Sequence, residues 1–176
     1  MALKKGVFIM ECVPKKDNLR EGKLLYEFLN MLIPDRIDLL QIKSKNDFLD
    51  RLYENNSKVI HISCHGDTNN EDNFCMLTAN GNIYPDELDE DSGLRGRNVV
   101  ITGCLLGRTG FAKEFLENTQ AKSLIAPMNE IRFRNSAMWC ANFYYHLFTR
   151  NSFSFGRSYD YMTKNFYVPG AMKMWE

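Results

Sequence analysis

The sequence predicts an α/β fold: one three-layer domain over residues 1–176, with a central, mainly parallel sheet, helices on both faces and a β-hairpin insertion. Three observations carry that expectation. Strand-like and helix-periodic segments alternate along the whole chain. Two runs, 58–64 and 98–103, are apolar with little alternation, as strands covered on both faces must be. The composition, 44% hydrophobic and 25% charged over 176 residues, is enough to bury one sizeable core.

Residues 7–13 read as the first strand. The preceding Met1-Ala2-Leu3-Lys4-Lys5 resembles the start of a signal peptide, but Glu11 breaks the apolar run and no small-residue cleavage site follows. A helix follows over 19–33, with Leu24, Leu25, Phe28, Leu29 and Leu32 at helical spacing, and Pro34 ends it. Residues 37–42 form a second strand, and Asn46 is placed to cap a short helix after it. The third strand is 58–64, and the polar stretch 67–73 reads as a loop. Residues 74–78 and 82–84 flank Ala79-Asn80-Gly81, a hairpin turn signal. The acidic stretch 86–96 reads as surface loop with room for one helical turn. A fourth core strand at 98–103, a helix at 110–118, a fifth strand at 122–128 and closing helices at 135–149 and 153–165 complete the pattern. No internal repeat, low-complexity segment or interdomain linker stands out.

The 22 basic and 22 acidic residues cancel, so no positive field favours nucleic acid or an anionic membrane, and no apolar run is long enough to span a bilayer. Five cysteines, at 12, 64, 75, 104 and 140, are an odd number without repeated spacing, three of them at ends of apolar runs. That usage fits a reducing cytoplasm and no disulfide framework.

The chemistry concentrates in two segments. Val59-Ile60-His61-Ile62-Ser63-Cys64-His65-Gly66 delivers a histidine beside glycine; Asn98-Val99-Val100-Ile101-Thr102-Gly103-Cys104 delivers a cysteine. In open α/β sheets, sites lie beyond the carboxyl ends of the strands. If the two strands are neighbours, His65 and Cys104 emerge at one edge as a thiol nucleophile and its general base. Cys64 then points to the opposite face into the core, and His61 shares the parity of His65 but lies deeper and packs. His146, on an aromatic-rich helix, reads as surface or core. A cysteine phosphatase would need arginine six positions after its cysteine, but Asn70 and Gly110 occupy those places. Zinc held by His61, Cys64, His65 and Cys104 is disfavoured because residues 64 and 65 face opposite ways and no Cys-x-x-Cys pair exists. The expectation is therefore no metal and no cofactor. A receiver-like signalling domain is disfavoured too: Glu11 lies near the end of the first strand, but the third ends in Cys64-His65-Gly66 where acidic residues are needed.

Taken in order, these segments resemble the caspase-like cysteine peptidases, and within them the bacterial CHAT-domain group. The pattern apolar-His-x-x-x-His-Gly is matched by His61 to Gly66, and Val-Val-x-x-x-Cys by Val99, Val100 and Cys104. The hairpin between them is matched at Leu77 and Gly81; the strand at 123–128 and the helix at 138–147 also fit. Leu105 and Leu106 depart from the small residues that many relatives carry after the cysteine. The resemblance, spanning about residues 6 to 165, implies a three-layer caspase-like fold and a cysteine endopeptidase. Cys104 is then the nucleophile, His65 the base, and the N–H groups of Gly66 and Cys104 the oxyanion donors. It also implies a protein or peptide substrate cut beside a charged residue, a basic one by analogy with bacterial relatives. Asp67, Asp72 and Glu130 are the acidic candidates for that pocket, with Arg132 and Arg134 nearby. The segment 118–122 is too short to be a maturation loop, so the intact chain is expected to be competent. Control by a separate regulatory protein and constitutive action on a narrow substrate remain open. The alternative class is a catalytically silent caspase-fold binding module.

Overall fold

A computed structural model describes residues 4–18, 20–68, 73–151 and 154–176. In chain order the elements are β1 (Lys4–Glu11), α1 (Glu21–Leu32), β2 (Ile37–Gln41), α2 (Lys45–Glu54), β3 (Ser57–Ser63), β4 (His65–Thr68), β5 (Phe74–Leu77), β6 (Asn82–Ile83), a 3-10 turn (Pro85–Glu87), β7 (Asn98–Ile101), α3 (Thr109–Thr119), β8 (Ser123–Pro127), α4 (Phe133–Thr149), α5 (Phe155–Asn165) and β9 (Met172–Trp175). Six strands make one sheet in the order β2-β1-β3-β7-β8-β9. All neighbours run parallel except β9, which pairs antiparallel with β8. The architecture is the expected α/β one and is compatible with a three-layer caspase-like fold.

The uninterrupted apolar runs follow from this layering. Even positions of β3, Ile60 and Ile62, join Phe8, Met10, Val99 and Ile101 against Phe48 and Leu52 of α2 and Phe111 and Phe115 of α3. Odd positions face the other layer, where Val7, Ile9, Val59, Val100 and Ile125 meet Leu25 and Leu29 of α1, Trp139 and Phe143 of α4, and Met162 of α5. Trp139 stacks on Phe143 at 5.2 Å between ring centroids, and Phe155 meets Phe143 edge-on at 5.1 Å. A strand with both faces covered has no polar side to alternate with.

The hairpin insertion is a three-stranded antiparallel sheet, β4-β5-β6. Its turn closes where the Thr78 N–H and hydroxyl donate to the Gly81 carbonyl at 3.1 and 2.6 Å, with Gly81 at φ 107°, a left-handed value that glycine adopts freely. Two sequence expectations need correction, the acidic loop has its turn, and one strand escaped. Asp67 and Thr68 belong to β4, because their backbones pair with Cys75 and Phe74. Ser44, not Asn46, caps α2: its hydroxyl accepts from the Asp47 N–H at 3.2 Å while Asn46 lies inside the helix. The acidic loop's helical turn is the short 3-10 turn Pro85–Glu87. Finally, β9 was not expected from the sequence, because a four-residue edge strand with only Met172 buried has too little pattern to read.

Ser44→Ala should cost about 1 kcal/mol of unfolding free energy through loss of the α2 cap. A urea titration would show the midpoint shift with an unchanged slope; no shift would mean the cap contributes nothing.

Candidate active site at the carboxyl edge of the sheet

The register of β3 against β7, with Ile60 opposite Val99 and Ile62 opposite Ile101, brings both strands to the carboxyl edge at the same height. Each then leaves the sheet. After β3 the chain turns into β4 through His65; after β7 it enters a tight turn in which Leu105 adopts φ 68°. The two exits touch. A Cβ on Gly66 would overlap the carbonyl oxygen of Cys104 and come within 3.0 Å of its amide nitrogen, so only glycine allows this approach.

His65 and Cys104 line one cleft of about 420 Å³, together with Glu21, Ser63, Thr102 and Phe133. The two residues singled out from the sequence therefore share a cleft. The polar contacts of the two groups point elsewhere. The Cys104 sulfur accepts from the Ile131 N–H at 3.4 Å and lies 3.6 Å from the Ile131 carbonyl. The His65 ring sits 3.3 Å, Nε2 to Oδ2, from Asp17 on the β1–α1 loop. Among the described residues, His65 and Cys104 share no hydrogen bond with each other. The His65 side chain is 51% exposed, so side-chain rotation is not blocked by packing. Unliganded sites of this kind are often loose and tighten only with substrate.

The Cys104 N–H makes no hydrogen bond among the described residues, and Gly66, opposite Met76 in the β4–β5 ladder, packs its Cα against the Cys104 backbone. A free N–H beside a thiol is a donor that an oxyanion formed there could use.

Other sequence candidates fall as follows. Cys64 lies on the α2/α3 face in the core, where burial pushes its thiol up and out of nucleophilic range. His61 is fully buried with Nδ1 2.9 Å from the Tyr144 hydroxyl, and burial pushes it down to about 3, which keeps it neutral. His146 packs its ring 4.3 Å from that of Tyr161, away from the cleft. Asp67 and Glu130 line a neighbouring cleft on the other side of Cys104, and Arg132 and Arg134 line both that cleft and the first. The Asp67 carboxylate also accepts from the Thr68 N–H at 2.8 Å. Asp72 lies outside the described residues.

Sequence reasoning missed two acids. Asp17 reaches His65 from a loop 48 residues earlier, a proximity no local pattern encodes. Glu21, in the first turn of α1, reads as an ordinary helix-dipole partner, yet it is 2% exposed and lines the cleft, with Oε1 lacking any partner. Burial pushes its carboxyl up to about 7, against the opposing pull of the Thr102, Ser136 and Ser63 hydroxyls around it.

No protein-family model matches this chain, and comparison with curated proteins finds no significant relative. Among the described residues, no helix is long and apolar enough to cross a membrane.

Gly66→Ala should break the contact between β4 and the Cys104 turn. The expected result is a lower melting temperature together with altered reactivity of the Cys104 thiol toward an alkylating agent; unchanged values for both would show that the two backbones part without cost.

Proposed function

We propose that the chain is a cysteine endopeptidase that cuts a protein substrate after a basic residue. The observation that carries this reading is the arrival of His65 and Cys104, from adjacent parallel strands, in one cleft, with the Cys104 N–H unpaired beside its own thiol. In the proposed reaction His65 takes the Cys104 proton and the thiolate attacks the scissile carbonyl carbon. The oxyanion is received by the N–H groups of Gly66 and Cys104. His65 then gives its proton to the departing amine, and water, deprotonated by the same ring, hydrolyses the thioester and frees the thiol. Asp17 orients the ring and offsets its charge while it is protonated.

Glu21 supports the basic preference better than Asp67 or Glu130 do. It is the acid in the cleft that holds both reacting groups, and its unpartnered oxygen leaves a buried acceptor for a lysine or arginine head group. The connection between α3 and β8, residues 120–122, is too short to be excised, in keeping with activity of the intact chain. A separate regulatory protein remains part of this reading. Five free thiols fit a reducing, cytoplasmic setting.

One observation favours a second reading: the thiol rests against Ile131 and the imidazole against Asp17, as expected of a caspase fold kept as a silent binding module. A fluorogenic peptide panel varying the residue before the cut separates the two. Turnover with Lys or Arg peptides, lost in Cys104→Ala and reduced about 100-fold or more in His65→Ala, supports the peptidase. No turnover with any peptide, and no labelling of Cys104 by a peptidyl electrophile, supports the binding module. Glu21→Gln should lower discrimination for basic over neutral peptides by about 10- to 100-fold, the worth of a buried hydrogen bond to a charged group. Discrimination that survives Glu21→Gln but falls in Asp67→Asn would return the pocket to the neighbouring cleft.

A further inference from the structure

Behind the floor of the cleft, three buried side chains converge from three elements: Glu21 from α1, His61 from β3 and Cys140 from α4. Their potential ligand atoms all lie within 4.8 Å of one another. Bond lengths of about 2.0 Å to nitrogen or oxygen and about 2.3 Å to sulfur place the ligands of a zinc ion up to about 4.3 Å apart, so the cluster is close to the size such an ion needs. Two of the three atoms have no other employment. Glu21 Oε1 and His61 Nε2 are buried and lack any hydrogen-bond partner. Unsatisfied buried polar atoms are costly, and a pair of them facing a shared space calls for an occupant.

We propose that Glu21, His61 and Cys140 form a binding site for a zinc-type divalent cation, and that filling it closes the cleft to a cationic substrate side chain. The chemistry balances. Cys140 gives its thiol proton to solvent, Glu21 binds as carboxylate and His61 as the neutral imidazole. The two anions cancel the double positive charge, so no net charge is buried. The His61 ring has a neighbour that can give the outer support such ligands require: the Tyr144 hydroxyl lies 2.9 Å from Nδ1, and in the tautomer whose Nδ1–H donates to it the lone pair falls on Nε2. Mixed sulfur, nitrogen and oxygen donors favour zinc or cobalt over magnesium or calcium. Glu21 belongs both to this cluster and to the cleft lining, which gives the ion a way in from solvent and makes it a competitor for the carboxylate. The blocking effect rests on the peptidase reading; the binding site itself does not.

Cobalt(II) is the probe, titrated into the purified, reduced full chain. A 1:1 complex with a thiolate-to-cobalt charge-transfer band is expected, retained in Cys104→Ser and lost in Cys140→Ser. Glu21→Gln, which preserves shape, should weaken binding about tenfold or more. If Cys140→Ser fails to fold, the same answer comes from zinc raising the melting temperature of the wild-type chain and not that of Glu21→Gln. A band absent from the folded wild-type chain, or one that disappears with Cys104 instead of Cys140, overturns the site. In an active preparation zinc should raise KM for basic peptides; binding at Cys140 without that effect overturns the blocking role and leaves the site standing.

Discussion

The contact between the backbones of Gly66 and Cys104 is the constraint on which the site depends. Parallel pairing of β3 with β7 brings two chain exits to one height, but two exits with ordinary side chains could not close on each other. Glycine removes the obstacle at 66, so the β4 backbone lies directly against that of Cys104. The Cys104 turn is held from its other side as well. The Gly107 N–H donates to the Pro127 carbonyl at 2.8 Å, and the Trp175 indole N–H donates to the Gly107 carbonyl at 2.9 Å. Leu105 is thereby fixed in a left-handed conformation that disfavours a side chain by about 1–2 kcal/mol. The cost is tolerable because pairing on both flanks over-determines the turn, and the departure at Leu105 from the small residues of the resembled family becomes intelligible: its side chain packs against the α2/α3 core instead.

A second constraint sets the floor. Helix α1 begins after Arg20, which supplies no side-chain cap. Glu11, at the end of β1, takes that role from outside, accepting from the Lys23 N–H and the Val13 N–H at 3.3 Å each. Gly22 permits the approach: a Cβ there would come within 2.9 Å of both the Glu11 carboxylate and Ile9. Drawing α1 so tightly onto β1 carries Glu21 under the cleft. Both carboxyls are raised by burial, and each raises the other's cost, since Glu11 also opposes ionisation of Glu21. An acid held this way binds weakly to neutral groups and strongly to a cation that enters, whether an ammonium, a guanidinium or a metal ion.

The sequence disclosed what repeats or alternates. Each core strand of the parallel sheet, each helix and the Ala79-Asn80-Gly81 turn were legible because period, apolar run and turn chemistry are local properties. The positions of His65 and Cys104 at the carboxyl edge were legible because each follows such a run. What escaped was set by tertiary contact. Ser44 displaced Asn46 as cap by a shift of two positions, within the uncertainty of any helix boundary. β9 gains its identity from β8 and from the Gly107 carbonyl, not from its own pattern. The specificity acids were sought close in sequence to His65, at Asp67 and Asp72, whereas the acid of the shared cleft comes from the far side of β1. A glutamate in a first helical turn carries no mark of burial; only the packing of α1 on β1 and α4 reveals it.

The two layers of the molecule divide stability from chemistry. On the α2/α3 face, the clustered strand residues are apolar from end to end: Phe8, Met10 and Cys12 on and after β1, Ile60, Ile62 and Cys64 on and after β3. On the α1/α4 face the same strands change character toward their carboxyl ends. There Glu11, His61, Ser63 and Thr102 follow Ile9, Val59 and Val100, and Glu21 and Ser136 meet them from the helices. Buried polar groups at this density weaken a core unless each is satisfied. Here Glu21 Oε1 and His61 Nε2 are not, so the cost is local and lies on the side of the sheet that carries the cleft. The apolar face and the aromatic packing of Trp139, Phe143 and Phe155 supply the stability that lets this half of the molecule remain incomplete without a ligand.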